Sequence, residues 1–188
     1  MPARPGEPAA AAIRMLARRG LTVGTAESLT GGLVAAALTA VPGASAVFRG
    51  AIVAYATDLK ATLLGVPAEL LGRVGAVHPD VAVAMAAGAR RRLGVSVALA
   101  TTGVAGPEPA DGQPVGTVHI AVSMPASSVH RALRLAGDRA QIRERTVLDL
   151  LGLLVDALTA TAPGPGWTPS QPPGPPPSPP PGRPEDGD

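Results

Sequence analysis

The sequence predicts an α/β protein: a three-layer α/β/α sandwich on a mixed, mostly parallel sheet, in a single domain. Three observations lead there. Helical and strand patterns alternate along the chain and finish in a hairpin, an order that puts helices on both faces of a sheet. Val95 to Thr101 is almost wholly apolar, as a strand covered on both faces must be. Hydrophobic residues make up 46% of the 188 residues but aromatics only 2%. The core is therefore built from Ala, Val, Leu and Ile, whose small side chains suit close packing of helices on a sheet.

The elements follow in order. Residues 7–19 read as a helix with Ile13, Met15, Leu16 and Ala17 as its apolar stripe, ended by Gly20. Leu21 to Ala26 reads as a strand, Thr30 to Ala40 as a helix, and Val47 to Tyr55 as a second strand. Asp58 to Leu64 is a short helix with Thr57 as its N-cap, and residues 67–73 add a turn or two. Pro79 opens a long helix through Leu93, at a position that favours proline. After the apolar strand comes a Gly/Pro loop from Gly103 to Pro114. Thr117–Ser123 and Val129–Leu135 are spaced as a hairpin, and Arg139 to Ala160 forms the last helix.

The folded domain is expected over residues 1–162. From Pro163 to Asp188 the chain is mainly Pro, Gly and Ser. That composition cannot bury a core and predicts an extended, mobile tail; a PxxP ligand is the alternative reading. Trp167 lies inside this stretch.

Charge and composition exclude several functions. The net charge is +2, and the pI of about 9.9 reflects cations that are nearly all arginine. Apart from Arg90-Arg91-Arg92 they are scattered. With one Trp, one Tyr and one Phe there is no stacking platform for bases, so no nucleic-acid partner is expected. The absence of cysteine removes disulfides, thiolate metal sites and cysteine nucleophiles. His78, His119 and His130 have no ligand spacing, so no metal is expected, and no cofactor is called for. No apolar run reaches transmembrane length. The run Ala9 to Ile13 is cut too soon by Arg14 to be a signal peptide. The expectation is a cytoplasmic protein with no membrane partner.

Four segments carry candidate chemistry. Thr25-Ala26-Glu27-Ser28-Leu29-Thr30-Gly31-Gly32 sits where a strand turns into a helix. Backbone N–H groups and the positive helix end converge there, so Ser28 would have oxyanion donors beside it. The plain alternative is that Ser28 or Thr30 only caps the helix. The segment is neither a G-x-S-x-G elbow nor a Walker loop. Second, Lys60 is the single lysine among 16 basic residues, five positions after the single tyrosine, Tyr55. A desolvated lysine can lose its proton and a guanidinium cannot, so Lys60 can serve a serine as base. Chance survival on a helix surface is the alternative, as a half-buried core position is for Tyr55. Third, Thr101-Thr102-Gly103-Val104-Ala105-Gly106-Pro107, followed by Asp111-Gly112 and Pro114-Val115-Gly116-Thr117, leaves the carboxyl end of a buried strand, where α/β sheets place ligands. Thr102, Gly103 and Gly106 there suit a phosphate or ribose, or form an ordinary crossover. Fourth, Gly137-Asp138-Arg139 with Arg143 and Arg145 opens the last helix. Asp138 is a natural N-cap, and Arg139 or Arg143 can clamp a phosphate or form surface ion pairs.

Taken together, Ala26-Glu27-Ser28-Leu29-Thr30-Gly31-Gly32, Tyr55 with Lys60, Gly75-Ala76-Val77, Gly103-Val104-Ala105-Gly106-Pro107, Pro114-Val115-Gly116-Thr117-Val118 and Gly137-Asp138-Arg139 with Arg143 resemble the CinA carboxy-terminal domain family, the nicotinamide-nucleotide amidohydrolases. The blocks occur in family order over roughly residues 8–160. The resemblance implies a three-layer fold, a homodimer, and metal-independent hydrolysis of the carboxamide of nicotinamide mononucleotide to nicotinate mononucleotide and ammonia. It maps a nucleophile onto Ser28, a tyrosine onto Tyr55 and a lysine onto Lys60. Glu27, Thr30, Gly31, Gly32, Thr102, Gly103, Gly106, Arg139 and Arg143 are the expected substrate-binding positions. Backbone N–H groups near Thr30, Gly31 and Gly32 are the expected oxyanion donors, and Tyr55 is expected to orient Lys60 or pass a proton to ammonia. Two departures stand out. The family usually has Ser-Asn after the tyrosine, and this chain has Ala56-Thr57. Many members also carry an amino-terminal domain resembling molybdopterin-binding proteins, which this chain is expected to lack. A non-catalytic module that senses nicotinamide nucleotides is the second reading, motivated by Ala56-Thr57. A serine hydrolase using His78 is a third, without an acidic partner to complete it; next to Pro79, His78 is more simply a residue that starts a helix.

Overall fold

The computed structural model describes residues 6–161, so the expected tail from Pro163 onward lies outside the described residues. These residues form six α-helices and five strands: α1 (Gly6–Arg18), β1 (Val23–Glu27), α2 (Leu33–Thr39), β2 (Phe48–Val53), α3 (Thr57–Leu64), α4 (Ala68–Val74), α5 (Pro79–Arg92), β3 (Val97–Gly103), β4 (Thr117–Ser123), β5 (Ser128–Arg134) and α6 (Arg139–Ala160). The strands form one sheet in the order β2-β1-β3-β4-β5. β1 pairs in parallel with β2 and β3, and β4 pairs antiparallel with β3 and β5. Four strands thus share one direction and only β4 runs against them, which is the mixed three-layer sandwich expected.

The two faces of the sheet are built differently. Val97 and Leu99 on β3, with Val118, Ile120 and Val122 on β4, pack beneath α1, α2 and α6. Ala26, Ala98, Ala100 and Ala121 face the other way, against α5 and its neighbours. Strand side chains alternate between faces, so this sequence writes large residues on one face and alanine on the other. The alanine face lets α5 settle close to the sheet. The same closeness recurs between helices: a Cβ at Gly88 of α5 would stand 1.9 Å from the carbonyl oxygen of Leu64 at the end of α3.

Strand order also locates the site. The chain steps from β1 outward to β2, then back across β1 to β3. Right-handed crossovers in opposite directions put their helices on opposite faces, which opens a crevice at the carboxyl ends of the strands. Ser28 follows β1, Tyr55 follows β2, and Thr102 and Gly103 end β3. α3 enters from β2 and carries Lys60.

Two helix starts differ from expectation. α2 begins at Leu33 rather than Thr30, and its N-cap Gly32 is in the left-handed region without a side-chain cap. Thr57 is the first residue of α3, not its cap; Ala56 precedes it and caps nothing. The start of α6 is as read: Asp138 accepts from Gln141 N–H and the Gln141 side chain accepts from Asp138 N–H, a capping box.

Candidate active site

A buried serine–lysine contact lies at the centre. Lys60 Nζ is 3.1 Å from Ser28 Oγ, and the lysine is 1% exposed, the serine 7%. The ammonium also donates to the carbonyls of Ala54 at 2.9 Å and Tyr55 at 3.2 Å. Burial lowers the proton affinity of Lys60 below the ordinary lysine value, opposed by the charges of Asp111 and Asp58. The geometry fits either protonation state. A neutral amine has two N–H bonds and one lone pair. The two carbonyls can only accept, so the lone pair is left facing the Ser28 hydroxyl.

The loop that presents Ser28 is pinned from several sides. Ser28 N–H donates to Thr101 O at 3.1 Å, and the hydroxyls of Thr30 and Thr101 are hydrogen-bonded at 2.8 Å. Arg143 reaches back from α6, donating from Nε to Leu29 O and from Nη2 to Thr30 O, both at 2.9 Å. It braces the nucleophile loop rather than offering its fork to a phosphate.

Glu27 is occupied inside the fold. Its carboxylate, 0% exposed, accepts from the N–H groups of Gly32, Val34 and Ala35 at 2.9, 3.0 and 2.8 Å, and from the Thr25 hydroxyl at 3.2 Å. A carboxylate from the preceding strand thus takes the orphan donors of α2, and neither Ser28 nor Thr30 caps that helix. It corrects the expected oxyanion site too. Gly32 N–H is given to Glu27 and Gly31 N–H to Ser28 O at 3.0 Å. The N–H groups of Leu29 and Thr30 have no acceptor among the described residues, and Leu29 lines the pocket.

That pocket, about 190 Å³, is lined by Ser28, Lys60, Tyr55, Thr102, Gly103 and Arg139 among others. Of the expected binding positions, Glu27, Thr30, Gly31, Gly32, Gly106 and Arg143 do not line it. Thr102 donates to Ala76 O at 2.7 Å and so ties the end of β3 to the segment before α5. Arg139 donates to Gly106 O at 2.7 Å and to the Tyr55 hydroxyl at 2.8 Å. The carbonyl of Tyr55, not its phenol, therefore meets Lys60, and the residue is 57% exposed at the rim. A larger hollow of about 530 Å³ between α1 and α6 contains no nucleophile beside a base.

Sequence reasoning placed Asp111 in a candidate loop but gave it no role in the site. It lines the pocket and accepts from Ala76 N–H at 2.7 Å. Its only sequence signal is the Asp111-Gly112 turn pair. The histidines also sit differently from their spacing. His119 Nδ1 and His130 Nε2 meet at 3.1 Å across β4 and β5, and burial, then His130, His78 and Arg134, push the His119 proton affinity down to about 4. His78 Nδ1 accepts from Asp80 N–H at 3.2 Å as the cap of α5. Among the described residues no three His, Asp or Glu side chains converge where an ion would sit.

Fold and site define a single-domain α/β/α protein with a buried serine–lysine pair at the carboxyl ends of its parallel strands. The model of the CinA C-terminal domain matches residues 7–158. A CinA-like protein of Frankia casuarinae is 54% identical over 140 residues, 74% of this chain and 32% of its own length. One from Geobacter metallireducens is 47% identical over 142 residues, 75% of this chain and 34% of its own. This chain therefore spans about a third of the length of the curated relatives it matches. Among solved structures, the competence/damage inducible protein CihA from Agrobacterium tumefaciens superimposes with a TM-score of 0.80 at 40% identity, covering 85% of this chain and 98% of that one. The competence damage-inducible protein A from Klebsiella pneumoniae gives 0.83 at 32% identity, covering 85% and 100%. The chain belongs to the CinA C-terminal domain family. Among its described residues no helix is long and apolar enough to cross a membrane.

Proposed function

We propose that this chain is an amidohydrolase that converts nicotinamide mononucleotide to nicotinate mononucleotide and ammonia, with Ser28 as nucleophile and Lys60 as base. The observation that carries the reading is the 3.1 Å contact between Lys60 Nζ and Ser28 Oγ, with both other amine directions given to carbonyls. Neutral Lys60 takes the Ser28 proton as Oγ attacks the amide carbon. The developing oxyanion is held by the N–H of Leu29, the residue after the nucleophile. As the C–N bond breaks, Lys60 returns that proton to the departing nitrogen and ammonia leaves. Water then attacks the acyl ester, giving a proton through Lys60 to Ser28 Oγ, and the carboxylate product is released. Arg139, with Tyr55 at the rim, is the cation within reach of a phosphate.

The test is ammonia release from nicotinamide mononucleotide by wild type, Ser28→Ala and Lys60→Ala, with folding checked by circular dichroism. Activity in wild type and its loss in both folded variants supports the reading. Thr57 lines the pocket at the position where the family usually has Asn, and this favours one rival: a non-catalytic nucleotide sensor. A folded wild type that binds the nucleotide and releases no ammonia selects that rival.

A further inference from the structure

We propose that Asp111 is the specificity carboxylate of this pocket, favouring carboxamides whose ring carries a positive charge over the same carboxamides on a neutral ring. The inference rests on the amidohydrolase reading and deepens it.

Asp111 is the only acidic residue that lines the pocket among the described residues. Its place is fixed by the backbone. Ala110 and Gln113 form a bridge with hydrogen bonds in both directions, and Asp111 and Gly112 between them both have positive φ, 52° and 68°. Positive φ at both central residues marks a type I′ turn, for which Asp-Gly is a preferred pair. Asp111 is the one non-glycine residue with positive φ among the described residues. The side chain is held as well. One oxygen, Oδ2, accepts from Ala76 N–H at 2.7 Å. Gly75 lies so close that a Cβ there would be 3.0 Å from the Asp111 Cβ. The other oxygen has no hydrogen-bond partner among the described residues.

A turn that anchors one oxygen on a neighbouring amide leaves the second as a fixed negative point in the pocket wall. Its charge is felt at Lys60, against the larger effect of burial. Once Lys60 is neutral, the charges lining the pocket are Asp111 and Arg139, of opposite sign. N-ribosylated pyridinium with a phosphate has this pair of charges; free or reduced carboxamides lack the cation. Asp111 is exposed, so screening limits the preference to on the order of tenfold.

The experiment compares two mononucleotides that share carboxamide, ribose and phosphate: nicotinamide mononucleotide and its reduced, dihydropyridine form. kcat/KM for each is measured by ammonia release with wild type, Asp111→Asn and Asp111→Gly. Asparagine can still accept from Ala76 N–H, and glycine suits the turn, so one variant tests the charge even if the other fails to fold. Any change in Lys60 acts on both substrates and cancels in their ratio. The pyridinium also makes its carboxamide intrinsically more electrophilic, so the reading is the change in ratio: the wild-type preference for the cationic ring falls by about tenfold in the variants, and its Asp111-dependent part falls with added salt. An equal wild-type rate for both substrates overturns the proposal, as does a preference that is unchanged by the loss of Asp111. If wild type releases ammonia from neither, the amidohydrolase reading fails. The same ratio is then taken from dissociation constants by calorimetry, which decides the role of Asp111 by the same criteria.

Discussion

Replacing Glu27 with Gln tests whether this carboxylate builds the fold or binds a ligand. In the native structure its oxygens serve four donors at 2.8–3.2 Å with no solvent contact. Glutamine keeps one oxygen and replaces the other with an NH2 group that faces donors. In the better orientation the oxygen stays on Gly32 and Val34. The Thr25 hydroxyl can turn to accept, and Ala35 N–H is stranded. An unsatisfied buried donor costs about 1–3 kcal/mol, and charge-assisted bonds exceed neutral ones by about 1 kcal/mol each. Loss of the charge at the helix start adds a few tenths or more. The total comes to about 4 kcal/mol, a large fraction of the 5–15 kcal/mol typical of a domain. Urea denaturation should then move its midpoint by about 2 M at unchanged slope. A loss below about 1 kcal/mol, or an unchanged midpoint with weakened nucleotide binding, would refute the capping argument and return Glu27 to the substrate.

Two further outcomes follow from burial and close approach. Folding lowers the proton affinity of Lys60, so between its folded value and the unfolded value of about 10.4 the unfolded chain holds more protons. Stability must therefore rise with pH across that window; urea midpoints from pH 7.5 to 9.5 should show that rise in wild type and a flatter line in Lys60→Met. Equal slopes would mean that Lys60 titrates normally. Gly88→Ala puts a methyl 1.9 Å from Leu64 O, backbone against backbone, so it should lose about 3 kcal/mol in the same assay. On the amidohydrolase reading it should also slow ammonia release, because α3 must shift and Lys60 rides on it; a variant of wild-type stability and rate would show that α3 is free to move.

The layered fold was legible because its signals are local. The apolar run at β3, Pro79 at the start of α5 and Asp138 before α6 each act within a few residues; Pro79 and Asp138 stand where the sequence puts them, and β3 runs two residues later, Val97–Gly103 against the expected Val95 to Thr101. The start of α2 was not legible, because its cap reaches in from the preceding strand: Glu27 reaches across the turn at Ser28–Gly32 to the helical amides of Val34 and Ala35. Ser28 and Lys60 could be singled out by a strand–helix junction and by a lysine kept among arginines, but their contact joins residues 32 positions apart. Asp111 meets Ala76 from 35 positions away, and nothing in its own loop announces that partner. The same limit applies to Arg143, whose targets are carbonyls more than a hundred residues back. A backbone acceptor carries no residue signature.

The serine and its lysine follow neighbouring parallel strands, β1 and β2, and meet only when those strands are paired and α3 is seated. In an unfolded chain Lys60 is an ordinary ammonium at neutral pH, and Ser28 is an ordinary alcohol. On the amidohydrolase reading, chemical reactivity is therefore acquired at the last stage of maturation rather than encoded in any peptide segment. Nascent, misfolded and aggregated chains are inert bystanders in the cell. A serine-directed acylating label applied to a mixed preparation would count its native molecules one by one.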